Sequence, residues 1–126
     1  MATEENQYNI TLVADYDLSN YQFRFVALSG ERACDLAEPA DEDLIGILQN
    51  KPDGAGIAAT VCRMGLSKLV GGATFVVGAK LTSDANGKGV VAANDERYGA
   101  IALESGAVDK ICTVLVEFGS NPHGIS

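Results

Sequence analysis

Tryptophan is absent from this chain of 126 residues, histidine occurs once, and only eight residues are aromatic. A core without many large rings has to be filled by Val, Ile, Leu and Ala, which favours thin, closely packed layers. The single histidine, His123, lies between Pro122 and Gly124 near the C-terminus. Ser-His-Asp or Cys-His catalysis needs an imidazole fixed by packing and by a second hydrogen bond, and a tail position meets neither condition easily. Basic residues are also scarce. Nine Lys and Arg stand against seventeen Asp and Glu, for a formal charge of −8, and no two basic residues are adjacent. That balance argues against nucleic-acid binding, which needs cations to displace phosphate counterions, and against docking on anionic lipid. Cys34, Cys62 and Cys112 form an odd set at spacings that match no metal or redox motif. With one histidine they complete no zinc site. No apolar run approaches the ~18 residues of a membrane-spanning helix. The opening Met-Ala-Thr-Glu-Glu-Asn-Gln has neither the basic nor the apolar region of a secretory signal. Free thiols in a reducing cytoplasm are therefore the expectation.

What the chain does have is 47% apolar residues, fourteen glycines and many short β-type segments. Its length is that of one domain, enough to bury a core without metals or disulfides. Residues 1–8 are polar and unpatterned and are expected to form a flexible arm, followed by a single β domain over 9–118 and a flexible tail over 119–126. Strands are expected at Asn9–Ala14, Tyr21–Leu28, Arg32–Leu36, Ile57–Arg63, Leu66–Val70, Ala79–Thr82, Gly89–Ala93, Tyr98–Leu103 and Ile111–Phe118. The last of these is apolar on both faces and should be central. Leu44–Leu48 reads as a short helix after Pro39 or as a strand. Gly46 and the following Lys51-Pro-Asp-Gly54 favour the strand. Asn86-Gly87 is the strongest hairpin signal, because that pair tolerates the positive φ of a tight turn. Nine or ten short strands with little or no helix make an all-β fold, a compact small β-barrel or β-sandwich.

The motifs with chemical potential have simpler explanations. Gly54-Ala-Gly-Ile-Ala-Ala59 fits a dinucleotide fingerprint, yet β-branched residues follow where a helix should open, and no acid lies near Thr74 to hold a ribose. Glu38, Asp41, Glu42 and Asp43 lack the glycine hinge and distal Glu of a calcium loop and read as a solvated acidic turn. Lys51, Lys68, Lys80 and Lys88 lack the context of a biotin or lipoate carrier and read as guards of strand edges. Tyr21, Phe23 and Phe25 form a stripe at β spacing, read as one wall of the core, with an exposed partner anchor as the other reading. No catalytic, cofactor-binding or metal-binding residue is assigned.

The run Ile45-Gly-Ile-Leu-Gln-Asn-Lys-Pro52, Val61-Cys-Arg-Met-Gly65-Leu-Ser-Lys-Leu-Val-Gly-Gly72, Val77-Gly-Ala-Lys-Leu-Thr-Ser-Asp84 and Gly99-Ala-Ile-Ala-Leu-Glu-Ser-Gly106 resembles the capsid cement, or head decoration, proteins of tailed bacteriophages. The likeness extends from about Asp17 to Glu117. It implies a non-enzymatic structural protein that needs no cofactor. Such a protein binds the outer surface of an assembled capsid as a homotrimer at three-fold or quasi-three-fold positions. Its partners would be the major capsid protein and itself. It would be made in the bacterial host cytoplasm and end on the virion. Thr3, Glu4, Glu5, Asn6, Gln7 and Tyr8 are then the expected capsid-contact arm, chosen for polarity and position. The competing expectations are a minor component of a tail or fibre and a small β-barrel ligand-binding domain.

Overall fold

The computed structural model describes residues 5–120. Nine strands are present: β1 (Glu5–Ala14), β2 (Phe25–Gly30), β3 (Ala33–Leu36), β4 (Leu44–Leu48), β5 (Ala58–Val70), β6 (Lys80–Ser83), β7 (Gly89–Val91), β8 (Arg97–Ala102) and β9 (Ile111–Ser120). No helix occurs among the described residues. The all-β expectation holds, and Leu44–Leu48 is a strand.

The strands hydrogen-bond in the order β1-β3-β2-β4-β5-β9-β8-β6-β7, and β1 also pairs with β5. That extra pairing closes the first five strands into a ring. Its closure is a short parallel contact, Val13 opposite Ala33 and Ala14 opposite Cys34, beside a long antiparallel ladder from β1 to β5. The other four strands continue from β5 as a sheet that ends on the three-residue edge strand β7. β9 lies between β5 and β8, as its two apolar faces require.

Alternation along the shared strands builds two cores. Val26, Leu48 and Val61 point into the ring with Leu12, Leu18, Cys34 and Ala59. Their immediate neighbours Phe25, Ile47 and Cys62 point the other way, against Leu69, Phe75, Leu81, Cys112, Val114 and Val116. β2, β4 and β5 thus bury side chains on both faces at Phe25-Val-Ala27, Ile47-Leu48 and Val61-Cys62, where the sequence is apolar without alternation.

Several boundaries depart from the sequence reading. Ile57–Arg63 and Leu66–Val70 are one strand, because Gly65 at φ +104° carries the backbone through a bulge instead of ending it. Tyr21–Arg24 is a turn, with Phe23 at φ +63°, so β2 begins only at Phe25. The aromatic stripe does not share a face: Phe25 is in the sheet-side core, whereas Tyr21 packs against the ring core. The polar start of the chain does not become an arm as far as Tyr8. From Glu5 onward it is strand, since β5 extends far enough past Cys62 to pair with it. At the other end β9 runs to Ser120, two residues beyond the expected domain boundary.

Candidate interaction surfaces

Of the six residues expected to contact a capsid, Thr3 and Glu4 lie outside the described residues. Glu5 pairs with Leu66 and Tyr8 with Met64 on β5, with irregular register between them. The irregularity has a local cause. A Cβ on Gly65 would sit 2.4 Å from the carbonyl oxygen of Asn6, so only glycine lets the first residues of β1 lie this close. Gln7 then fastens them. Its Nε2 donates to the carbonyl of Leu66 at 2.9 Å and to Oε1 of Gln49 at 3.2 Å. Gln49 in turn donates to Ser67 Oγ and to the carbonyl of Ile47. Tyr8 and Met64, each about 60% exposed, stand side by side on this face.

At the far end of the sheet, two successive arches meet. Each leaves a strand, forms an isolated bridge, turns through a left-handed residue and enters the next strand. The left-handed residues are Gly78 in the first arch and Asp109 in the second. The arches join where Phe75 and Gly106 bond to each other in both directions. Gly106 permits this, because a Cβ there would penetrate the Phe75 ring. Gly78 also donates to the carbonyl of Ala102, and Leu103 to that of Thr113. Five aliphatic residues are left exposed on this tip: Val76, Val77, Leu103, Val108 and Ile111.

The opposite ends of β8 and β9 are acidic. Glu42, Asp95, Glu96, Arg97 and Ser120 line an open depression of about 420 Å³. A second, of about 240 Å³, lies among Asp35, Glu38, Asp41 and Asp43. Three of these acids are occupied with their own turns. Asp41 accepts from the backbone of Glu38 and Asp43, Asp35 from Leu36, and Glu96 from Ala93. No group of three or more His, Cys, Asp and Glu is placed to hold a metal ion among the described residues. Neither depression has the apolar lining of a small-molecule pocket.

The remaining candidates resolve individually. Gly54–Ala59 turns directly into β5, with Gly56 at φ +86°, so the glycines open no helix for a pyrophosphate. All three cysteines are buried, and none is in a disulfide. Burial, with Asp35 and Asp15 adding to it, pushes Cys34 up to about 11, and burial also raises Cys112. Neither is a nucleophile at neutral pH. Lys68 lies over Phe23, Lys80 over Tyr98, and Lys88 pairs with Asp109. His123 lies outside the described residues.

The molecule is therefore an all-β protein built from a closed five-strand ring and a four-strand extension, with its distinctive features on the surface. No protein-family model matches the chain, and no curated protein matches it in sequence. Among solved structures it is similar to the N base of head fiber gp8.5 in bacteriophage phi29, with a TM-score of 0.61 and 17% identity. The match covers 89% of this chain and 95% of that one, and at this identity it is a likeness of fold.

Proposed function

We propose that this chain is a non-enzymatic structural protein of a phage particle, a decoration protein bound to the outer surface of an assembled head. The observation that carries the reading is the fold shared, over nearly the full length of both chains, with the base of a phage head fiber. The resemblance of the Ile45–Gly106 region to head decoration proteins points the same way independently. In this reading the partners are the major capsid protein and further copies of the chain, as a homotrimer at three-fold or quasi-three-fold positions. A protein that binds only the assembled shell stabilises it by linkage, and three equivalent contacts per trimer raise the occupancy. A body with a charge of −8 stays soluble until it docks. On this account Thr3–Tyr8 contact the shell, of which Glu5–Tyr8 are a strand held on the ring, with Tyr8 and Met64 as the exposed apolar pair.

The test is to add the purified protein to heads that lack it, sediment them, and measure the bound copies and the temperature at which DNA is released. Saturable binding with a higher release temperature supports the proposal. Protein left in the supernatant contradicts it. A second reading, a component of a fibre, is favoured by the neighbour being part of one. It would show as few copies at discrete sites.

A further inference from the structure

We infer that the apolar tip formed by the two arches is the surface through which copies of this chain associate with one another in solution. This deepens the proposed oligomeric role and rests on that part of it. Val76, Val77 and Val108 are 71%, 63% and 63% exposed, and Leu103 and Ile111 more than 40%. Together they expose a patch on the order of 500 Å², in the upper range of what soluble monomers leave bare. Polar and charged residues surround it. An apolar centre with a polar rim is the anatomy of a stable protein–protein contact, which covers about 800 Å² on each partner.

The charge pattern selects a second copy as the occupant. The tip and the turn beside it carry Arg24, Lys80, Lys88 and Lys110 against Asp84, Glu104 and Asp109, a balance of +1 in a chain whose formal charge is −8, so the rest of the molecule carries −9. Two copies meeting through any acidic face would repel. Meeting through the tips brings together surfaces of mixed sign instead. It also directs Glu42, Asp95 and Glu96, at the far ends of β8 and β9, away from each other. The arches are rigid enough to present the patch: the Phe75–Gly106 bridge joins them, the Lys88–Asp109 pair ties one to the turn before β7, and Lys110 Nζ donates to the carbonyl of Ser105.

The experiment measures the mass of the full chain by light scattering and sedimentation at roughly 100 µM, above the micromolar upper limit for contacts of this size. Head binding is measured separately. The wild type is expected to be oligomeric, and more so in added salt, because screening weakens repulsion between the acidic bodies and leaves the apolar contact intact. Val108→Glu, in an exposed turn, should weaken association at least tenfold with an unchanged far-ultraviolet spectrum. Val108→Ser should weaken it less. Thr11→Glu adds the same charge on the ring and should leave it unchanged. A monomeric wild type, a V108E protein as oligomeric as the wild type, or equal loss in T11E overturns the inference. Head binding that persists in any of these cases leaves the head role standing. Loss of head binding by an intact oligomer removes the head role alone.

Discussion

The closed ring and the open extension solve the same problem differently. In the ring, every strand has a neighbour on both sides for at least part of its length, and the pairing of β1 with both β3 and β5 leaves little edge for another chain to join. The extension cannot close. It ends on the three-residue β7, and its arches leave Val76, Val77, Leu103, Val108 and Ile111 exposed. The contrast teaches that closure spares the ring an unpaired edge, whereas the extension keeps an open edge strand and an exposed aliphatic tip. They are nevertheless one body, because β2, β4 and β5 serve both cores. A further seam joins them: Phe118 on β9 lies between the guanidinium groups of Arg63 and Arg97, at 4.6 and 4.8 Å. Those arginines donate to the carbonyls of Ile45 and Leu44 on β4.

The strongest way to break this picture is to empty each core in turn. Leu48→Ala in the ring and Leu81→Ala in the extension each remove a fully buried side chain and should cost about 2–5 kcal/mol. Urea unfolding should stay a single transition in both variants. A separate early transition in L81A would mean that the extension melts independently. Gly65→Ala should cost about 1–3 kcal/mol through positive-φ strain and the collision with Asn6, and hydrogen exchange should localise the damage to residues 5–8. Phe118→Leu keeps the apolar volume and removes two cation–π contacts, so it should cost about 1–2 kcal/mol, measured by the same unfolding curves.

The thiols sharpen the comparison without any mutation. Cys34 reports opening of the ring and Cys112 opening of the extension. Alkylation under native conditions should be slow at both and similar in rate if the two regions open together. Fast labelling at Cys112 alone would separate them. The smallest effect concerns Asp109, held below its ordinary value of 3.8 chiefly by its hydrogen bond from Lys88 and then by that lysine's charge. A depressed carboxylate contributes stability that is present above that value and is lost as pH falls through the folded one. The pair is at the exposed tip, so Asp109→Asn should lower stability only slightly above about pH 4, and the difference from the wild type should vanish below it.

Much of this architecture was legible in the sequence. Asn86-Gly87 lies in the turn between β6 and β7, Leu44–Leu48 is a strand, and the doubly apolar Ile111–Phe118 lies inside the sheet. The failures have a common origin in backbone irregularity. Gly65 reads as a stop, yet its positive φ makes it the bulge that keeps β5 whole and lets residues 5–8 become strand. Gln7 bonds to polar partners, and residues 5–8 carry no alternation to detect. Phe23 at φ +63° breaks an apparently regular β pattern, which nothing about an aromatic residue announces. The contact surfaces were less legible still. Val76, Val77 and Val108 look like core residues until the arches place them outside, and the one hint was the density of glycine and small residues around them.

The central claim is tested most directly by cryo-electron microscopy of the virion that carries this gene, with the copy number measured by gel densitometry of the same particles. The account predicts density for a ring-and-extension β domain on the outer head surface at three-fold or quasi-three-fold positions, in hundreds of copies per particle. Absence from the particle, or a few copies confined to the tail, would contradict it.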